Sequence, residues 1–131
     1  RDFCLSRGLG DVYKRQLGRL EAFEVEKQLN EADVFVFPSL TEGFSNAMLE
    51  AMAHGLPIIA TDVGAAIDMI ENCGGTVVPV HDVSAMQNAL NNMNKPETRK
   101  AMSEWNINKV KQCYEYNQVI EALFRVYEEV I

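Results

Sequence analysis

The amino-acid sequence predicts an α/β fold built on a parallel sheet of about three strands. Three short segments rich in apolar and β-branched residues predict the strands: DVFVFPS (33–39), PIIATD (57–62) and TVVPV (76–80). Segments with helical spacing separate them, and an order of strand, helix, strand, helix, strand is typical of parallel sheets. We therefore expect a partial Rossmann-like sheet with flanking helices and a helical C-terminal tail.

The first residues of the chain resemble a sequence that is foreign to the protein. Residues 6–16, SRGLGDVYKRQ, match the read-through translation of a common sequencing adapter without a gap. The glycines of this segment complete neither of the common glycine-rich phosphate-binding motifs. We therefore expect residues 1–16 to be an artefact and residues 17–131 to be part of a longer natural chain.

Four features predict the elements up to the third strand. LGRLEAFEVEKQLN (17–30) has apolar residues at helical spacing and predicts a first helix. The strand at 33–39 is nearly continuous in apolar residues, so we expect it to be buried on both faces. A helix over about 46–54 has Ser45 as its N-cap and Gly55 just past its C-terminus. AIDMIEN (66–72) predicts a short helix before the third strand.

The chain after His81 has a helical pattern throughout. Asp82 or Ser84 is suited to cap a first helix, and Pro96 to begin a second. A last helix from about Asn117 carries a broad apolar stripe that continues to Ile131.

Composition and charge exclude several classes of function. Hydrophobic residues make up 47% of the chain and charged residues 24%, which is typical of a globular domain. The formal net charge of -7 argues against nucleic acid or an anionic membrane as the main partner, because both require a basic surface. Cys4, Cys73 and Cys113 form no metal-binding or disulfide pattern, so we expect no metal site and reduced thiols in a cytoplasmic protein.

Two loops after the strands are the candidate ligand site. The carboxyl ends of parallel strands meet at one edge of a sheet, where open α/β folds bind ligands. Glycines let the main chain approach a ligand, and the free amides at the start of the following helix attract phosphate. The residues concerned are Gly43, Phe44, Ser45, Asn46 and Ala47 in one loop and Gly64 in the other. All strand-to-helix loops share these features, so the loops alone do not establish a ligand.

The spacing of Glu42 and Glu50 adds a chemical preference. Glu42 lies in the first of the two loops, and Glu50 lies in the following helix, on the face that also carries Asn46. Ionised carboxylates accept several hydrogen bonds and therefore suit the hydroxyl groups of sugars. The alternative is that Glu50 pairs with His54 on a solvated helix face.

The stretch EADVFVFPSLTEGFSNAMLEAMAHGLPIIATDVGAAIDMIENCGGTVVPVHD (31–82) resembles the donor-binding half of family-4 glycosyltransferases (glycosyl transferases group 1). Its motif PS-x2-EGF-x4-LEAMA-x-G-x-PIIATDVG joins many fixed spacings. The resemblance implies the C-terminal half of a two-domain GT-B fold. It also implies a retaining transfer of a sugar from a UDP- or GDP-linked donor to an acceptor hydroxyl, in the synthesis of cell-surface polysaccharide or glycolipid.

The resemblance also implies roles for individual residues. Glu42 matches the glutamate that contacts the hydroxyls of the donor sugar, and we assign it to catalysis; Glu50 matches the glutamate that contacts the nucleotide ribose. Residues 43–47 match the loop whose amides bind sugar and diphosphate. No cofactor or metal is implied. No protein nucleophile is implied either, because in the family the leaving diphosphate assists deprotonation of the acceptor.

Two departures from the family set further expectations. Residues 64–68, GAAID, stand where the family has two glycines followed by Pro-Glu, which puts a contact from Asp68 in doubt. The family's diphosphate-binding Arg and Lys and its acceptor domain lie upstream, so we expect the present chain alone to be inactive. The longer protein is expected in the cytoplasm or at the inner face of a membrane, with its last helix returning to the other domain.

The sequence leaves two alternative functions. One is a non-catalytic nucleotide-binding or interaction module with the same half-fold. The other is a phosphoacceptor receiver domain with Asp62 at a strand end, but that chemistry needs an acidic cluster and a lysine that the pattern does not supply.

Overall fold

The computed structural model describes residues 2–3 and 15–130. Its strands are β1 (Asp2–Phe3), β2 (Gly18–Arg19), β3 (Phe35–Phe37), β4 (Ile58–Thr61) and β5 (Gly75–Val78). Its helices are α1 (Ala22–Glu31), α2 (Asn46–Ala53), α3 (Ala66–Ile70), α4 (Val83–Asn92), α5 (Pro96–Cys113) and α6 (Tyr116–Val130). Residues 6–14 of the segment that resembles an adapter lie outside the described residues, as does Ile131.

The residues up to Glu31 form one compact unit, which holds β1, β2 and α1. β1 and β2 pair as an antiparallel ribbon. The prediction of a helix from residue 17 is wrong at its start, because Gly18 takes a left-handed φ of 70° in β2 and α1 begins only at Ala22. The main-chain amide of Glu21 donates to the Glu24 carboxylate at 2.8 Å, which satisfies one of the free amides at the helix start.

The second unit begins at Ala32 and contains the parallel sheet that the sequence predicts. Its strand order is β3-β4-β5, with Val36 opposite Ile59 and Ile59 opposite Thr76. All residues of β4 are buried. The expectation that the first strand of this sheet is buried on both faces is wrong, since all three residues of β3 are only half-buried. Among the described strands β3 pairs with β4 alone and is therefore an edge strand. The side chains of a neighbouring strand flank those of β3 on one side only.

Helices cover both faces of the sheet. On one face Ile59 of β4 and Val78 of β5 pack against Ala89 and Met93, from α4 and the residue after it. Neighbouring residues of a strand point to opposite faces, so the alternate residues of β4 face the other layer. There α2 and α3 contact the strand.

The ends of the helices follow the predicted capping residues. Ser45 caps α2, and the Asp82 carboxylate accepts the amide of Ala85 at 2.9 Å and caps α4. Gly55 has a φ of 74°, its amide donates to Met52, and the next amide donates to the carbonyl of Ala51. This pair of bonds is the Schellman arrangement that ends a helix at a left-handed glycine.

Asn106 of α5 ties that helix to the start of two strands. Its side-chain amide is fully buried and donates to the carbonyls of Leu56 and Gly74, both at 2.8 Å. Gly74 directly precedes β5, and Leu56 lies two residues before β4. A side chain at Gly74 would meet the Asn106 oxygen, so the glycine makes this contact sterically feasible.

The last helix leaves its apolar stripe in solvent. All residues of α6 are exposed or half-buried, among them Leu123, Phe124 and Tyr127. The helices in the described part of the chain lack the combination of length and apolar content that crossing a bilayer demands. The stripe is therefore a surface feature of the second unit.

Candidate functional site

The candidate site lies at the edge of the sheet where β3 and β4 end. The first loop, residues 38–45, follows β3, and the second loop, residues 62–65, follows β4. The two strands are parallel, with Phe37 opposite Ala60, so both loops leave the sheet at the same edge. The structure thus brings together the two loops that the sequence singles out.

Direct main-chain contact holds the two loops together. The amide of Ala65 donates to the carbonyl of Gly43 at 2.9 Å. Gly64 has a φ of 52°, and a Cβ on it would lie 2.1 Å from the Gly43 oxygen and 2.3 Å from the Glu42 oxygen. The missing side chain of Gly64 therefore lets the second loop approach the first. The binding of a ligand by Gly64 stays a prediction.

Thr61 adds a side-chain link between the loops. Its hydroxyl is buried at the end of β4 and donates to the carbonyl of Ser39. The Ser39 hydroxyl in turn donates to the carbonyl of Thr41 at 2.8 Å. This role of Thr61 is not among the predictions from the sequence. The sequence does contain an indication of this role, namely a hydroxyl at the end of an otherwise apolar, buried strand. A buried hydroxyl needs a hydrogen-bond partner.

The first loop ends at the N-terminus of α2. The buried hydroxyl of Ser45 accepts the amide of Met48 at 3.2 Å, which confirms it as the N-cap. A helix has no carbonyl for the amides of its first residues, so those of Asn46 and Ala47 have no partner within α2. They lie at the positive end of the helix dipole, where an anion is stabilised.

The two carboxylates lie on either side of these amides in sequence. Glu42 is exposed in the first loop, and Glu50 is half-buried in α2. Asn46 and Glu50 are four residues apart in one helix and therefore share a face. The His54 ring lies 2.8 Å from the main-chain carbonyl of Glu50. The roles of the two carboxylates stay predictions.

Gly43 and Gly64 differ in what surrounds them. A Cβ on Gly43 would meet no protein atom within 4 Å, and Gly43 does not take a positive φ. The main chain at Gly43 thus borders open space, which is the arrangement expected of a glycine that a ligand approaches. The corresponding space at Gly64 is filled by the first loop.

An aromatic contact to the first loop was not predicted. The ring centroids of Phe44 and Tyr114 lie 5.6 Å apart at an interplanar angle of 62°, an edge-to-face arrangement. Tyr114 is the residue after the last turn of α5, and burial raises its pKa above the ordinary value of 10.0. The residues are too far apart in sequence for any periodic pattern to indicate the pair.

Trp105 lies at the opposite edge of the sheet. A Cβ on Gly74, just before β5, would lie 2.8 Å from the Trp105 ring. The Lys109 ammonium lies 5.6 Å from the centre of that ring and 2.5 Å from the Glu71 carboxylate. The hydrogen bond to Glu71 raises the pKa of Lys109 above 10.5. This cluster packs α5 and takes no part in the candidate site.

Comparison with known proteins gives a consistent family assignment. Residues 6–95 match the family described as glycosyl transferases group 1. The chain is 32% identical over 120 residues to the amylovoran biosynthesis glycosyltransferase AmsK of Erwinia amylovora, a match of 79% of this chain and 28% of that protein. It is 30% identical to the D-inositol 3-phosphate glycosyltransferase of Saccharomonospora viridis, over 99% of this chain and 30% of that protein. The chain therefore spans less than a third of either relative.

Solved structures support the fold. The sucrose-phosphate synthase of Thermosynechococcus elongatus superposes with a TM-score of 0.76 at 24% identity, over 87% of this chain and 29% of that chain. The C-terminal domain of a glycosyl transferase group 1 family protein from Francisella tularensis gives a TM-score of 0.69 at 24% identity, over 76% of this chain and 53% of that chain. These likenesses confirm the α/β class and the C-terminal half of a GT-B fold.

Proposed function

Because the chain belongs to the family of glycosyl transferases group 1, we propose that it is the donor-binding part of a retaining glycosyltransferase. The proposed reaction moves a sugar from a UDP- or GDP-linked donor to an acceptor hydroxyl, in the synthesis of polysaccharide or glycolipid. One observation carries the proposal. The first loop is hydrogen-bonded to the second loop and leads into the N-terminus of α2. The amides there that have no partner within α2 lie between Glu42 and Glu50 in sequence.

The helix start suits the diphosphate of such a donor. The open amides of Asn46 and Ala47 donate hydrogen bonds, and the dipole of α2 adds a partial positive charge, so an anion binds without a cationic side chain. The net charge of -7 is compatible with this ligand, because the attraction is local and comes from the main chain. In this role the loop binds and orients the donor.

The two glutamates then contact different parts of the donor. Glu50 accepts hydrogen bonds from the ribose hydroxyls, and Glu42 accepts them from the sugar that is transferred. Glu42 is the residue we assign to catalysis, because hydrogen bonds to the sugar fix its orientation while the bond to the diphosphate breaks. The protein supplies no nucleophile, and the departing diphosphate takes up the proton of the acceptor.

The complete reaction is assigned to the longer protein. The chain spans less than a third of its curated relatives, and we propose that the acceptor domain and the basic residues that bind the diphosphate lie outside it. We expect the present chain to bind a donor without transferring its sugar. A cytoplasmic location is proposed on the exposed free thiols of Cys73 and Cys113, which a reducing compartment preserves.

Titration calorimetry with UDP, GDP, UDP-glucose and GDP-mannose tests the proposal. Glu50→Gln keeps the shape of the side chain but removes its charge, so it weakens binding of both nucleotide and nucleotide sugar by roughly tenfold or more. Glu42→Gln weakens binding of the nucleotide sugar by a similar factor and leaves the free nucleotide unaffected. Glu104→Gln, at an exposed position of α5, is the matched control and changes neither.

Two results contradict the proposal. One is that none of the four compounds binds to the original chain. The other is that both site variants bind the nucleotide sugars as well as the control does. Equal weakening of nucleotide and nucleotide sugar by Glu42→Gln removes the assignment of Glu42 to the donor sugar.

A further inference from the structure

The contact between Phe44 and Tyr114 connects the first loop to the end of α5. Phe44 directly precedes Ser45, the N-cap of α2, and therefore adjoins the open amides of the candidate site. Its side chain is 46% exposed, and its ring meets that of Tyr114 edge to face at 5.6 Å. An aromatic residue that is half in solvent has several rotamers open to it unless a neighbour selects one.

The first loop is held at three points along its length. Near its start, the Thr61 hydroxyl donates to the carbonyl of Ser39. In its middle, the Ala65 amide donates to the carbonyl of Gly43. At its end, the Tyr114 ring packs on Phe44. The first two points are supplied by β4 and the second loop, whereas the third comes from a different element of the second unit.

We propose that Tyr114 is a positioning residue for the first loop. Its ring fixes Phe44, and through Phe44 it fixes the direction of the amides that follow. The benefit to a ligand rests on the proposed function, whereas the effect on the loop does not. Tyr114 is partly buried, which raises its pKa, and this agrees with a ring that packs against the protein.

Amide exchange measured by NMR tests the positioning of the loop. The informative amides are those of Ala65, which donates to Gly43, and Met48, which donates to Ser45. Tyr114→Leu keeps an apolar side chain but removes the ring. We expect it to speed amide exchange at Ala65 and Met48 by about three- to tenfold, the effect expected when one aromatic pair is lost. The Ile58 amide, which donates to Gly74 between the strands, reports on the fold as a whole.

Two further variants separate the ring from a general structural effect. Tyr114→Phe retains the ring and is expected to exchange like the original chain. Tyr116→Leu changes a tyrosine that is 78% exposed and is the matched control. If Tyr114→Leu does not fold, Phe44→Leu removes the same ring pair from its exposed partner and is expected to give the same increase.

The Tyr114 and Tyr116 variants are also titrated with UDP-glucose and GDP-mannose. The affinity is expected to fall about three- to tenfold in Tyr114→Leu and to stay unchanged in Tyr114→Phe and Tyr116→Leu. Unchanged exchange at Ala65 and Met48 overturns the proposal. So does an equal increase at Ile58, or a Tyr114→Phe chain that behaves like Tyr114→Leu. If neither nucleotide sugar binds to the original chain, the proposed function fails, and the exchange rates still decide the positioning role.

Discussion

Replacing Gly64 by alanine is expected to separate the two loops. A Cβ at this position would lie 2.1 Å from the Gly43 oxygen and 2.3 Å from the Glu42 oxygen, whereas real Cβ contacts below 3.0 Å essentially do not occur. Both atoms belong to the main chain, so rotation of a side chain cannot relieve the overlap. The second loop must therefore move away from the first.

Two terms set the size of the effect. Gly64 has a φ of 52°, and an alanine in this left-handed region is destabilised by about 1–2 kcal/mol. Moving the loops apart breaks the hydrogen bond from Ala65 to Gly43, whose net contribution is about 1 kcal/mol. The Gly64→Ala chain is therefore expected to lose about 2–3 kcal/mol of unfolding free energy, or roughly 10 °C in Tm for a domain of this size.

Urea unfolding followed by circular dichroism and by the fluorescence of Trp105, the single tryptophan, measures this loss. Gly43→Ala is the matched control, because its Cβ meets no protein atom within 4 Å. That variant is expected to be as stable as the original chain or about 0.4–1 kcal/mol more stable, since alanine restricts the unfolded state. Equal stability of the two variants would refute the argument that Gly64 is required for loop packing.

Two further predictions concern α5 and the residue that follows it. Asn106→Asp replaces the amide that donates to Leu56 and Gly74 by a carboxylate that faces two carbonyls. Urea unfolding should show that the free energy of unfolding falls by about 3–5 kcal/mol in this variant, and by less in Asn106→Leu. An Asp variant as stable as the Leu variant would contradict this. Burial raises the pKa of Tyr114 above 10.0, so the folded chain holds the proton of the Tyr114 hydroxyl more tightly than the unfolded chain does. The stability that comes from this difference is present below pH 10 and is lost as the pH rises through the raised pKa. Absorbance titration should show a late-ionising tyrosine that Tyr114→Phe removes, and an unchanged curve in that variant would contradict the assignment.

The sheet could be predicted because its signals are local. Each strand is a short apolar run, and Ser45 and Gly55 mark the two ends of α2 by their own conformational preferences. The start of α1 was predicted wrongly because Gly18 pairs in a strand, and pairing depends on residues elsewhere in the chain. The incomplete burial of β3 was not predicted for the same reason, because a run of apolar residues does not show how many neighbouring strands a strand pairs with.

The features of the site that were not predicted are contacts between segments that are distant in sequence. The sequence predicts Gly64 to be a glycine that lets the main chain approach a ligand, but its contact with the first loop follows only from the register of β3 and β4. Thr61 and Tyr114 contact the same loop through a hydroxyl and a ring, and nothing in the spacing of the sequence links either residue to that loop. Sequence patterns thus identified which residues belong to the loops, whereas the structure identified what holds the loops in place.

The three contacts to the first loop also bear on how a donor is recognised. A loop that is already ordered loses little conformational entropy when a ligand binds, so its amides contribute more of their interaction energy to affinity. Main-chain amides contact a diphosphate in the same way whatever sugar or base is attached to it. On the proposed function, discrimination between donors then comes from a side chain of the first loop, such as the exposed Glu42. We therefore expect Gly64 and the contacts of the first loop to set the affinity for the anion, and Glu42 to set the choice of donor.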